Sequence, residues 1–596
     1  MDVIGLVAII FFYVLILMVG LWAGRKTKHS SDCQEGEKTD EVMLAGRNIG
    51  VVVGIFTMTA TWVGGAYING TAEALYNGGL LGCQAPFGYS ISLIMGGLLF
   101  AEKMRAQGYV TMLDPFQIKY GERVGGLLFL PALLGEVFWS AAILAALGAT
   151  LSVILGIAIT PSVVISALIA IFYTFTGGLY AVAYTDVVQL FCIFIGLWVC
   201  VPAALLSEAS GDISRNAEDW LGSIGGFRET VLWWDYMLLL IFGGIPWQVY
   251  FQRVLSSRTA SGAKMLSFVA ALGCLIMAIP PVLIGAIARN TNWTYTNYEP
   301  WGNGTKVDSI PVDQRNMVVP LVFQQLTPPW IAFIGLGAVS AAVMSSADSS
   351  ILSAASMFAR NIWKLTIRPH ASENEVIFVM RIGIVCVGLL ATLMALTIKS
   401  IYGLWYLCAD LVYVILFPQL LCVVYMEKSN TYGSLSGYAV GLFLRLSGGE
   451  PLLFFPPLIH FPMYDEVIND DGSVTGTQYF PFRTVSMVMS LTTCVSVSLL
   501  TNHLFKSGKI PIEWDFLTCV VNIPPERINL PRDTSFATST DTLAMHKIRS
   551  ENGMVNPLLL TANDSGLSGG SSPATETSAL APTDFTTRDY NSLERP

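Results

Sequence analysis

Along this chain the hydrophobic residues fall in long continuous runs rather than in an alternating pattern. Neutral runs of spanning length recur at Gly5–Trp22, Ile49–Ala72, Leu80–Ala101, Gly156–Thr185, Val187–Ser207, Met265–Ala288, Asn316–Ala347 and Thr484–Phe505. A helix needs roughly 20 such residues to cross about 30 Å of hydrocarbon. Continuity argues for helices over the alternating strands of a barrel. Counting the weaker runs as well predicts thirteen spans, at 3–24, 48–76, 81–103, 123–155, 161–177, 181–206, 233–254, 264–288, 316–362, 378–399, 401–426, 432–447 and 482–505. The first run follows Asp2 without the basic flank or small-residue cleavage site of a secretory signal, so it reads as a retained span.

Two spans carry residues that a plain lipid-facing helix does not need. In Phe56–Gly70, Thr57, Thr59, Thr61, Gly64, Gly65 and Asn69 bring polar and flexible positions to mid-membrane depth. In Phe242–Gln252, Gly243, Gly244 and Pro246 do the same, and proline there removes a backbone hydrogen bond. Unwound backbone inside a membrane is tolerated only where it lines a buried or wet cavity. With the first span set aside, the breaks at 57–65 and 243–246 fall in the first helix of two successive five-helix units. Such a pair points to the binding site of a secondary transporter.

Composition agrees with a membrane protein: 53% of the 596 residues are hydrophobic and 13% charged. A net charge of −9 sits mostly in loops and tail, and ten cysteines without CxxC spacing read as small buried apolar residues. No nucleophile–base set or metal-ligand cluster suggests an enzyme, and nothing suggests nucleic acid.

Loop charge sets an expected topology. With the N-terminus extracellular, the cytoplasmic loops hold Arg25, Lys26, Lys28, Lys38 and Arg47, then Lys103, Arg105, Lys119 and Arg123. They continue with Arg253, Arg258 and Lys264, then Arg360, Lys364, Arg368 and Arg381. Outer loops carry Glu208, Asp212, Asp308 and Asp313, as the positive-inside rule requires. The sequons at Asn292 and Asn303 fall in one outer loop, whereas Asn69-Gly-Thr lies inside a span. From about Lys506 the chain turns rich in Ser, Thr, Pro and Asn, the composition of a disordered cytoplasmic tail. In it, Pro557-Leu-Leu-Leu matches a dileucine-type signal for endocytic adaptors.

Ionisable residues within the bilayer are expensive and suggest function. Asp348 follows Ser345 and Ser346 and precedes Ser349, so hydroxyl oxygens lie within one turn of a carboxylate. That oxygen-rich chemistry suits a hard cation such as sodium. Asp186, in Tyr184-Thr-Asp, is a second candidate, and Glu73, Glu136 and Asp410 read as gating or structural acids. Trp62 and Trp247 sit at the breaks, while Tyr89, Trp139 and Trp405 lie in other spans. A quaternary ammonium has no N–H to donate, so aromatic faces and methyl contacts must hold it. Together, several faces at about 2 kcal/mol each reach micromolar affinity.

Thr57-Met-Thr-Ala-Thr-Trp-Val-Gly-Gly, Tyr109-Val-Thr-Met-Leu-Asp-Pro-Phe, Gly177-Gly-Leu-Tyr-Ala followed by Tyr-Thr-Asp, Gly243-Gly-Ile-Pro-Trp-Gln and the serines around Asp348 resemble the sodium/solute symporter family, and within it a choline-transporting branch. The likeness extends over roughly residues 3–510. It implies an all-α membrane protein with a LeuT-like core of two inverted five-helix repeats and broken first helices. The implied division is 1–47 as an extra helix and loop, 48–206 and 207–426 as the repeats, with a glycosylated loop at 289–319, then 427–505 as flanking helices and 506–596 as the tail. It further implies sodium- and chloride-dependent choline uptake at the plasma membrane of cholinergic terminals, where choline supplies acetylcholine synthesis. Choline would meet Trp62, Tyr89, Trp139, Trp247 and Trp405. One sodium would meet Ser345, Ser346 and the carbonyls of Ala342, Thr59 and Trp62. A second sodium, used by some members, would meet Asp186, Asp348 and Ser349. Some sugar-transporting relatives carry threonine in place of Asp348, so the resemblance leaves its role open, along with the chloride position and homo-oligomerisation. Another small solute, or a sensor or channel on the same fold, is the alternative.

The sequons give a first test. Digestion with peptide N-glycosidase should lower the apparent mass of the expressed protein. Asn292→Gln combined with Asn303→Gln should abolish that change, and a digestible double variant would refute the placement of this loop.

Overall fold

In the computed structural model the described residues are 3–28, 42–176, 179–300, 306–468 and 474–517. Asn303 and the tail beyond residue 517, with its dileucine motif, lie outside them. The long and site-bearing helices are α1 (Val3–Lys28), α2 (Val51–Trp62), α3 (Gly65–Gly82), α4 (Ala85–Gly96), α5 (Phe129–Leu155), α6 (Ile159–Thr176) and α7 (Leu179–Leu205). They continue with α8 (Phe227–Gly243), α9 (Gln248–Ser256), α10 (Ala260–Asn290), α11 (Val318–Leu326), α12 (Pro329–Met357) and α13 (Glu373–Thr397). The last four are α14 (Ile401–Leu411), α15 (Phe417–Tyr425), α16 (Thr431–Ser447) and α17 (Phe482–Lys506). A short hairpin, β1 (Tyr464–Ile468) and β2 (Val474–Gln478), pairs Tyr464 with Gln478 between α16 and α17.

Among the described residues nine helices are long and apolar enough to cross a membrane, or ten if the bent pair α2–α3 is one span. Their outer faces confirm the solvent. On α13, Phe378, Ile382, Val385, Leu389, Leu393 and Leu396 are exposed at steps of three or four, while Val376, Met380, Ile384, Val387 and Ala391 on the other side are buried. Water does not tolerate so long an apolar stripe; lipid does. By contrast α5 and α12 are covered by protein almost throughout, so they form the centre of the bundle.

Both expected breaks are present. α2 ends at Trp62, Val63 leaves the helical region with ψ 61°, Gly64 is extended, and α3 departs at 46° to α2. α8 ends at Gly243, and Trp247 is extended before α9 begins. Ile245 precedes Pro246, which disfavours helix at Ile245 and removes one donor. The glycines are needed for closeness: a Cβ on Gly65 would strike Val343 of α12, and one on Gly243 would strike the Ala409 carbonyl of α14. Asn69 is buried within α3, where its Nδ2 donates to the Gly65 carbonyl at 3.0 Å, so that sequon is sealed inside the fold. The eight described cysteines are free and six are buried.

Gly64 is the tightest of these positions, since an added Cβ would overlap the Ser346 side chain. Gly64→Ala should cost about 3 kcal/mol through overpacking. Gly78→Ala, with no atom within 4 Å, is the control and should leave stability unchanged or slightly raised. Thermal midpoints in detergent decide, and equal midpoints would contradict the close approach.

Candidate cation site

Five aromatic side chains from five segments converge at the two breaks. Trp62 is the last residue of α2, and Trp247 immediately precedes α9. Tyr89, Trp139 and Trp405 come from α4, α5 and α14. Ring centroids lie 5.8 Å apart for Trp62–Tyr89, 5.7 Å for Trp62–Trp247 and 6.0 Å for Tyr89–Trp247. Trp139 is 5.6 Å from Trp247 and 5.7 Å from Trp405, and Tyr89 is 5.2 Å from Trp405. All five are buried, so the sequence-predicted set forms one cluster. The indole N–H groups of Trp62, Trp139, Trp247 and Trp405 are buried without hydrogen-bond partners. The Tyr89 hydroxyl meets Cys408 Sγ at 3.4 Å. Such a cluster offers π faces and N–H donors but no formal charge, which suits a cation that carries methyl groups.

A second, polar group lies behind the rings where α12 meets α2, α7 and α9. Ser346 Oγ donates towards the Thr61 carbonyl and the Ala342 carbonyl, each at 3.2 Å, and so faces the break in the first helix. Ser345 turns the other way and donates to Asp186 Oδ1 at 2.5 Å. Thr57 Oγ1 donates to the other oxygen of Asp186. Arg253 Nη2 stands 3.7 Å from Asp186 Oδ2 and donates to Ser349 Oγ. Ser349 in turn donates to the Ser345 carbonyl at 2.8 Å. Asp348 is buried with neither carboxylate oxygen hydrogen-bonded. The Thr59 carbonyl accepts from Val63 N–H at 2.8 Å at the end of α2. Thus Ser346, Ala342 and the end of α2 come together, Asp186, Ser345 and Ser349 form a second set, and Asp348 lies beside that set without bonding to it.

Arg253 corrects the sequence reading, which counted it among loop bases. It is fully buried one turn before the end of α9, with Nη1 donating to Gln252 Oε1 at 3.1 Å. Phe251, Val254 and Leu255 beside it are buried too, so the apolar run continues past Gln252; that was the signal available in the sequence. The hydroxyls of Thr57 and Thr61 and the ties that hold the rings were also missed as site contributors. Glu73 of α3 caps α14, accepting from Ser400 Oγ at 2.7 Å and Ile401 N–H at 3.1 Å, and so fixes the helix that carries Trp405. Gln248, next to Trp247, accepts from Met112 N–H at 2.8 Å. The Met112 segment is itself pinned by Asp114, which accepts from Val110 N–H and Thr111 Oγ1. Burial pushes the Asp114 carboxyl up, but Arg360 and the bonds from Thr111, Val110 and Asn361 outweigh it and hold it below the usual carboxylate range. Asp410 of α14 sits in a buried ionic group with Arg445, Arg483 and Glu450.

Membrane helices with two interrupted spans around one central helix define the architecture of a secondary transporter, and the matches are to that class. The chain matches the Sodium:solute symporter family over residues 42–441 and belongs to it. It is 72% identical to the High-affinity choline transporter 1 of Caenorhabditis elegans, covering 94% of this chain and 95% of that one. To the High affinity choline transporter 1 of Homo sapiens it is 56% identical, over 87% of this chain and 88% of that one. In fold it is similar to the solved structure of a Na+-coupled sialic acid symporter, with a TM-score of 0.66 at 16% identity, covering 83% of this chain and 97% of that one.

Losing one partner of the buried pair should be severe. Arg253→Met leaves the Asp186 charge uncompensated, with an expected cost of about 3–5 kcal/mol. Adding Asp186→Asn should recover part of it, because the coupling within a cycle reports the pair itself. Additive losses in thermal midpoint would remove the pairing from the account.

Proposed function

We propose that this protein is a sodium- and chloride-dependent, high-affinity choline transporter that works by alternating access. The observation that carries it is the cluster of Trp62, Tyr89, Trp139, Trp247 and Trp405, five buried rings joined at two helix breaks. Choline presents three methyl groups and a positive charge, which aromatic faces match at about 2 kcal/mol per desolvated contact. Its hydroxyl oxygen can accept from an unpaired indole N–H. Each hydroxyl of a sugar or inositol needs acceptors as well as donors, whereas the four unpaired indoles of this cluster donate only. The names of the 72% and 56% identical relatives support the same substrate.

In this reading thirteen spans contain a core of two inverted five-helix repeats, at 48–206 and 207–426. One sodium engages Ser345, Ser346 and the carbonyls of Thr59, Trp62 and Ala342. Its binding there ties the end of α2 to α12 and completes the ring cluster around choline. A second sodium engages Asp186, Asp348 and Ser349; the unbonded oxygens of buried Asp348 favour a cation at that point. Inward opening then draws on the sodium gradient and on a membrane potential of about 2.3 kcal/mol per charge per 100 mV. The N-terminus faces outside and the C-terminus the cytoplasm, at presynaptic plasma and vesicle membranes, where choline feeds acetylcholine synthesis. Chloride dependence rests on the family likeness alone.

Tritiated choline uptake tests the whole. Replacing sodium by lithium or N-methylglucamine should abolish it, and sodium-indifferent uptake would refute symport. Trp62→Ala and Trp247→Ala should each weaken apparent choline affinity about tenfold or more with surface expression retained. Unchanged affinity in both would take these rings out of the site.

A further inference from the structure

Glu136 lies on α5, three residues before Trp139, and both side chains are buried. Its Oε2 accepts from Ser350 Oγ of α12 at 2.6 Å, and Ser140, a turn further on, donates to that serine at 3.0 Å. The other oxygen, Oε1, is buried with no hydrogen-bond partner. A dry, unpaired carboxylate oxygen is costly, so a group held this way is ionised only where a positive charge comes close to it. Glu136 thus stands on α5 between Ser350 of α12 on one side and, three residues on, Trp139 of the ring cluster on the other. α5 and α14 come close here, since a Cβ on Gly135 would stand 3.0 Å from the Cys408 carbonyl.

The rings alone recognise shape better than charge. A neutral molecule with the outline of choline would bury the same methyl surface against them and lose only the cation–π part. Both oxygens of Asp186 are engaged by Thr57, Ser345 and Arg253, whereas Glu136 keeps one oxygen unpaired. We propose that Glu136 is the specificity-determining residue that makes the ring cluster select a cation over a neutral ligand of the same shape. With an ammonium in the cluster, a Glu136 carboxylate one helical turn from Trp139 adds an attraction that only a cation feels, and the low polarity around it keeps that attraction strong. The inference rests on the rings being the choline site.

Glu136→Gln removes the charge and keeps an oxygen for Ser350. Uptake of tritiated choline is measured alone and with dimethylbutanol, the neutral carbon isostere of choline, as competitor. The half-saturation for choline should rise about tenfold, while the inhibition constant of dimethylbutanol changes by less than about twofold. A parallel shift of both would mean that Glu136 only shapes the site, and would overturn the inference. So would an unmoved choline constant. Should Glu136→Gln fail to reach the surface, the charge-keeping Glu136→Asp decides by displacement from total membranes. Its ratio of the two constants should stay within about twofold of the parent, and a collapsed ratio would overturn the inference. Failure of the choline site itself shows separately, as unchanged affinity in Trp62→Ala and Trp247→Ala.

Discussion

A helix that stops inside hydrocarbon leaves carbonyls and amides with no water to receive them, and the centre of this protein is organised around two such stops. At the first, Ser346 of α12 donates to the Thr61 carbonyl at the end of α2, while Val63 N–H folds back to the Thr59 carbonyl. At the second, Trp247 N–H reaches the Ile245 carbonyl at 2.8 Å and Pro246 has no donor to satisfy. Each stop therefore finds local partners, as non-helical backbone at membrane depth must. The same stops bring Trp62 and Trp247 together, and α4, α5 and α14 supply the other three rings.

Charge is kept off the rings and placed behind them. Asp186 pairs with the buried guanidinium of Arg253 on the second broken helix, while Asp348 and Glu136 keep unbonded oxygens. Hydroxyls of Thr57, Ser345, Ser349 and Ser350 take up part of the polar demand, so oxygen-rich surroundings and an uncharged aromatic wall lie side by side. The walls are anchored at helix ends: Glu73 caps the helix of Trp405, and Gln248 ties the segment of Trp247 to the Met112 loop. Further out, Asp235 of α8 and Asp410 of α14 reach Arg483 of α17, which joins the flanking helices to the same two elements.

Much of this was legible in the sequence. Spans and breaks follow from length, neutrality and glycine–proline content, and the five rings stand out by their positions in and beside them. Proline by itself was a poor guide: Pro202 lies within α7 and Pro280 and Pro281 within α10, all of which run on as helices. What separates Pro246 is the preceding glycine pair, with Gly243 set hard against the Ala409 carbonyl. In a linear scan the charge of Arg253 marks a loop, whereas in space its buried guanidinium stands 3.7 Å from Asp186 Oδ2.

The sequence by itself determined that the chain spans a membrane, where its helices break and which oxygens and rings are available, because transfer from water, proline geometry and glycine size act locally. Only the tertiary structure decided which groups meet: that Ser345 turns to Asp186 while Ser346 faces the break, that Glu136 keeps one oxygen unpaired, and that Arg253 is buried. Those outcomes depend on residues far apart along the chain sharing a space too dry to leave a charge alone, and no local rule of the chain encodes that proximity.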